Sequence, residues 1–268
     1  MSLRKRTPTA IVLLVLTFIW IQFMPSLLFF LCLQILILAS LLEFYNLFQG
    51  KKLFPQRVFG IILALILSFS FYFERLSLAL VFSVCLLLSA LYFIVSINKV
   101  EKLVSFSSSI ALTFFGALYL SFTLNHTFLI REEEGSFYIY FLLVVVFFGD
   151  TGAYLLGKLL GRRKLVPIAS PRKTWEGSIG GLIFACLGAL VVQQFLLKDV
   201  ALWKAILCGI LVNVVAQVSD ALESLFKRAV GVKDSSNMLP GHGGFLDRID
   251  SLILATPFFY YFIHFFWK

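Results

Sequence analysis

Residues 137–161 read FYIYFLLVVVFFGDTGAYLLGKLLG, an apolar and aromatic run long enough to cross a bilayer and interrupted near its middle by one acid, Asp150. About 20 apolar residues at a rise of about 1.5 Å each span the hydrocarbon core. A carboxylate inside that core is costly unless it is paired, coordinated or facing water. The stretch therefore reads as a membrane helix that carries a function. Asp150, Tyr154 and Lys158 share a face at i+4 spacing, while Gly149, Ala153, Gly157 and Gly161 form a small-residue face suited to close helix contact. An intramembrane pair between Asp150 and a Lys or Arg is the alternative.

The rest of the chain is of the same kind. Its 268 residues are 60% hydrophobic and 14% charged, with a mean hydropathy of +0.96; soluble domains carry about 25% charge. A water-soluble globule is excluded. Charged and turn-rich breaks divide the sequence into nine candidate spans, at 8–24, 26–49, 55–73, 76–97, 103–125, 137–161, 175–197, 200–228 and 246–267. The first break is only Pro25-Ser26, but one helix over 8–49 would be about 63 Å long, more than a bilayer holds. Arg4-Lys5-Arg6 ahead of an apolar run without a small-x-small cleavage site reads as an uncleaved signal anchor.

Basic residues accumulate in cytoplasmic loops, so their alternation tests the layout independently. With the N-terminus inside, 18 of the 23 Lys and Arg fall on the cytoplasmic side and five outside, together with the acidic run Glu132-Glu133-Glu134. The expected fold is an all-α polytopic membrane protein of about nine transmembrane helices, N-terminus cytoplasmic and C-terminus outside. The net charge of +9 reads first as topology, and nothing points to nucleic acid as a partner. Cys32, Cys85, Cys186 and Cys208 sit singly in apolar stretches and read as packing residues.

The two halves differ. Residues 1–136, about five spans, carry few ionisable groups beyond Glu43, Glu74 and Glu101 and read as a scaffold. Residues 137–268, about four spans, read as the catalytic part. In the eighth span Asn213, Gln217, Asp220, Ser224 and Lys227 recur at alternating i+4 and i+3, flanked by Glu223 and Arg228, so one face is continuously polar. In lipid such a face must turn inward, lining a polar cavity open to the cytoplasm. The ninth span opens with His242-Gly243-Gly244-Phe245-Leu246-Asp247-Arg248-Ile249-Asp250-Ser251, a glycine-rich approach to a helix N-terminus that suits phosphates. Asp247 enters from the same side as Asp220, so the two acids are expected to share a divalent cation. Carboxylates plus substrate phosphates are the usual setting of Mg2+, and basic, glycine-rich loops around them point to phosphoryl or nucleotidyl transfer.

The run from Ser224 through Asp250, with Ser170-Pro171-Arg172-Lys173-Thr174-Trp175-Glu176-Gly177 and Asp150-Thr151-Gly152-Ala153-Tyr154 upstream, resembles the signature segments of the prokaryotic-type phosphatidate cytidylyltransferases, the CDP-diacylglycerol synthases. Within this resemblance Ser219 departs, standing where a glycine is expected. The resemblance implies transfer of CMP from CTP to phosphatidate with release of pyrophosphate, dependence on Mg2+, with a second metal or a monovalent cation as a further candidate, and a multi-pass homodimer in the inner (cytoplasmic) membrane. It also implies roles. Asp220 and Asp247 would hold the metal, with Asp150, Glu223 and Asp250 as further candidates. Lys227 and Arg248 would act in catalysis. Ser170, Arg172, Lys173, Lys227, Arg228, Lys233, His242, Gly243, Gly244 and Arg248 would bind substrate. A CTP-dependent polyprenol or lipid kinase and, more remotely, a secondary transporter are the competing readings.

Overall fold

Pro25 turns the chain first. It lacks an N–H and disfavours helix at the residue before it, so helix α1 (Leu3–Phe23) ends there, and its own carbonyl accepts from Phe29 N at 2.9 Å to start α2 (Ser26–Gln49). Trp20 braces this corner, stacking on Phe29 at 4.7 Å and donating to the Phe29 carbonyl at 3.2 Å. The computed structural model describes residues 3–49, 53–73, 77–97, 103–238 and 243–267. Among these follow α3 (Arg57–Tyr72), α4 (Leu78–Ser96), α5 (Phe106–Glu134), α6 (Ser136–Leu160), α7 (Trp175–Phe195), α8 (Leu202–Ala229) and α9 (Leu246–Trp267).

A helix thus stands at each of the nine expected positions. Among the described residues seven are long and apolar enough to cross a membrane, namely α2 and α4 to α9. The described apolar part of α1 is Leu14–Phe23, and α3 is 16 residues, about 24 Å against a hydrocarbon core of about 30 Å. The chain is a multi-pass membrane protein of nearly all-α architecture. Among the described residues the sheet is a short antiparallel hairpin, β1 (Lys164–Val166) and β2 (Ser170–Thr174), turning at Pro167. Proline's fixed φ suits such a turn.

By packing, the chain forms two units. The first comprises residues 1–128 and 234–248, the second 129–233 and 249–268. In the first, α2 buries one helical stripe, Phe29, Leu33, Ile37, Leu41, Phe44, Tyr45 and Phe48, and leaves Leu27, Leu28, Leu31 and Ile35 exposed, the pattern of a helix with one face toward protein and one toward lipid. Its interior holds a small polar knot. Gln34 donates to Asn125 Oδ1 at 2.9 Å, and Asn125 donates to Ser68 Oγ at 2.9 Å and to the Ser121 carbonyl at 2.7 Å. His126 is buried against the rings of Phe71 and Phe122 and is a packing residue.

In the second unit α6 and α7 pack backbone to backbone. A Cβ on Gly177 would lie 2.8 Å from the Ala153 carbonyl oxygen and 3.1 Å from Gly157 Cα, so Ala153 and Gly157 of the expected small-residue face make the close contact, and Gly152 meets Gly180 beside them. α8 joins α7 through the upper part of its polar stripe. Ser178 donates to Gln217 Oε1 at 2.5 Å, and Gln217 donates to Asn213 Oδ1 at 2.7 Å.

Candidate active site

Polar side chains from α6, β2, α8 and α9 gather in the second unit. Thr174 caps α7 by accepting from Gly177 N at 3.1 Å, and Glu176 accepts from Arg162 N at 3.0 Å and Arg163 N at 3.3 Å. These bonds fasten the hairpin to the start of α7. β2 thereby presents Lys173, whose Nζ lies 2.6 Å from Asp220 Oδ2. Asp150 lies within electrostatic range of both Asp220 and Lys173, and its Oδ2 is 3.5 Å from Ser251 Oγ. Asp250 is in electrostatic range of Asp220, Glu223 and Lys227. Glu223 and Lys227 form an ion pair one helical turn apart and are almost entirely buried.

Four carboxylates, Asp150, Asp220, Glu223 and Asp250, therefore face two ammonium groups, Lys173 and Lys227. Among the described residues no three or more His, Cys, Asp or Glu side chains close into a metal cage. Oxygen-only carboxylate donors of this kind fit Mg2+, which completes its shell with water and phosphate rather than with protein alone.

Ser219 shows why a serine works here. Its hydroxyl donates to the Asp250 carbonyl and accepts from Leu254 N at 3.2 Å. Those are the two groups that an uninterrupted helix joins directly, and one turn later comes Pro257, which has no N–H to give. The hydroxyl links α8 to α9 next to the acid cluster. Arg228 is occupied with backbone, its Nε 3.2 Å from the Ala169 carbonyl and its Nη1 2.8 Å from that of Val232. Arg172 and Lys233 are exposed, and Ser170 is half-buried.

The first unit carries the other set. Asp247 Oδ2 accepts from Ser235 N at 2.9 Å, Ser235 Oγ at 3.0 Å and Gly244 N at 2.9 Å. Gly243 has φ of +78° and a Cβ there would lie 2.7 Å from Asp247 Oδ2; only glycine takes both the conformation and the contact without strain. Arg248, the next residue, is exposed. His242 lies outside the described residues.

Glu43 joins this set from α2. Oε1 accepts from Ser236 Oγ at 2.7 Å and Phe245 N at 3.0 Å; Oε2 accepts from Leu246 N at 2.9 Å and lies 2.9 Å from Ser235 Oγ, whose single proton it shares with Asp247 Oδ2. Sequence reasoning left Glu43 in the scaffold. The signal was there, since it is the one charge between Arg6 and Lys51 and an isolated carboxylate in an apolar helix is expensive.

The cytidylyltransferase family model matches residues 4–266. The chain belongs to the cytidylyltransferase family. Among relatives, the phosphatidate cytidylyltransferase of Staphylococcus saprophyticus is 44% identical over 149 residues, 56% of this chain and 54% of that protein. That of Haemophilus influenzae is 45% identical over 136 residues, 49% of this chain and 47% of its own. The Escherichia coli protein YnbB is 39% identical over 166 residues, 60% of this chain and 55% of its own. The chain spans about half the length of the curated relatives it matches. Family membership thus covers the helices that carry both polar sets.

Proposed function

We propose that the protein is a phosphatidate cytidylyltransferase, which transfers CMP from CTP to phosphatidate to give CDP-diacylglycerol and pyrophosphate in phospholipid biosynthesis. The observation that carries this reading is the acid cluster around the Lys173–Asp220 pair, carboxylates with lysines beside them, in a chain of the cytidylyltransferase family. The names of the relatives supply the nucleotide and the lipid.

The phosphate oxygen of phosphatidate attacks the α-phosphorus of CTP, the bond to the bridging oxygen breaks, and pyrophosphate leaves with the electron pair. A phosphate monoester is anionic near neutral pH, so no side chain need remove a proton. Asp220 and Asp247 are each a proposed ligand of Mg2+, with Asp150, Glu223 and Asp250 as further candidates; Glu223 is ion-paired with Lys227. When bound, Mg2+ supplies neutralisation of the charge that develops on the phosphates. Lys173, Arg172, Lys227, Lys233 and Arg248 are the proposed cationic contacts to phosphate, and Ser170, Arg228, His242, Gly243 and Gly244 the supporting ones. The protein is proposed to act as a homodimer in the cytoplasmic membrane, with its N-terminus and basic loops on the side where CTP is found.

The test is incubation of purified protein with cytidine-labelled CTP and phosphatidate, with and without Mg2+. Label is expected in the lipid, with stoichiometric pyrophosphate, only when Mg2+ is present. Release of CDP with unlabelled lipid would identify a kinase instead, and absence of lipid label with every divalent metal tried would defeat the reading.

A further inference from the structure

We infer that Glu43 is a positioning residue for Asp247. A buried acid that merely capped a helix would accept from the N–H groups of the first turn and stop there. Glu43 accepts those of Phe245 and Leu246 and, on the same two oxygens, meets the hydroxyls of Ser235 and Ser236. It therefore pins both ends of the 235–246 segment to one carboxylate, itself 2% exposed on α2. Ser235 and Gly244, at or next to the pinned positions, are the residues whose N–H groups hold Asp247 Oδ2. Ser235 Oγ touches both carboxylates, at 2.9 Å and 3.0 Å. Loss of the Glu43 acceptors releases the donors that set the Asp247 carboxylate, without touching Asp247 itself. Partners that orient a functional carboxylate in this way typically carry an about 10- to 100-fold effect.

This inference rests on the reading of Asp247 given above, and its test separates the two. Glu43→Gln keeps the shape but replaces one acceptor oxygen by an amide that faces a hydroxyl and a backbone N–H, and the backbone N–H has no other direction in which to turn. The full chain purified in detergent is compared with Glu43→Asp, which keeps both acceptors. Three quantities are measured: kcat and KM for lipid labelling from CTP, the thermal unfolding midpoint, and hydrogen exchange of the peptide covering 244–247. For Glu43→Gln we expect kcat to fall about 10- to 100-fold, with KM for CTP moving less than kcat. Exchange at Phe245 and Leu246 should become faster, the midpoint should fall by the few degrees that an unsatisfied buried N–H costs, and Glu43→Asp should recover part of kcat. Wild-type kcat in Glu43→Gln, or unchanged exchange at those two amides, overturns the inference. If Glu43→Gln does not fold, Ser236→Ala removes one donor from the same carboxylate and must shift exchange and kcat in the same direction. If the wild type itself fails to label lipid, the function proposed above falls, and the exchange comparison alone upholds or overturns the anchoring role.

Discussion

Asp220→Asn is expected to lose about 1,000-fold or more of lipid labelling while unfolding at a nearly unchanged temperature. The size of the effect discriminates between two roles. Asp220 and Lys173 make a 2.6 Å ion pair, each side chain about a quarter exposed at 26% and 27%. If that pair were only structural, its removal would cost at most about 1 kcal/mol, since partly solvated pairs are worth little, and turnover would hardly move. If the carboxylate holds a cation against the triphosphate, the whole loss appears in the rate. Initial rates at saturating CTP and Mg2+, set beside the unfolding midpoint, decide the matter. Near-normal rates would remove Asp220 from the metal site. Glu223→Gln is expected to behave in the opposite way. Its ion pair with Lys227 is buried, with side-chain exposures of 1% and 9%, and breaking one partner of a buried pair leaves the other charged in a poor solvent, a cost of about 3–5 kcal/mol. That loss should appear as a lowered midpoint and poor yield before any selective change in rate.

The same contrast explains what could be read in advance. The helices were legible because lipid demands continuous apolar runs, and the Pro25 break because a helix of about 63 Å has nowhere to go. The 164–174 hairpin was not, because strands of three and five residues rich in charge have no periodicity to detect. On α8 the polar stripe correctly announced an inward face, but spacing cannot say what an inward face meets. Asn213 and Gln217 meet Ser178 and the glycines of α6 and α7, whereas Asp220 meets Lys173. Glu43 escaped for a different reason. Its partners lie 192 to 203 residues along the chain, and no local pattern connects a lone acid near a helix end with a serine pair that far away. Ser219, noted only as a departure from the family pattern, turns out to carry a hydroxyl bridge to α9.

Gly244→Ala separates two explanations of the double glycine, and its expected effect is also large. One explanation is that glycines let backbone N–H groups approach a phosphate. The other is packing of the protein on itself: a Cβ on Gly244 would overlap Ser235 Oγ and Glu43 Oε2, while the Gly244 N–H is given to Asp247. On the packing account the methyl group forces apart the groups that hold Asp247, so turnover should fall about 100-fold, as expected when a reacting or coordinating group is misplaced by about 1 Å, and stability should fall by about 1–3 kcal/mol from overpacking. Deleting the serine side chain in the double variant Gly244→Ala, Ser235→Gly clears part of the overlap. It should return part of the unfolding midpoint, giving a coupling energy of about 0.5–3 kcal/mol in a double-mutant cycle. A phosphate-approach role predicts no such coupling, because Ser235 would then have nothing to do with the methyl group. Additive effects on the midpoint would therefore reject the packing account and return Gly244 to the nucleotide, whereas recovery would mean that the glycine is there so that two carboxylates, Glu43 and Asp247, can share Ser235 of the segment that leads into α9.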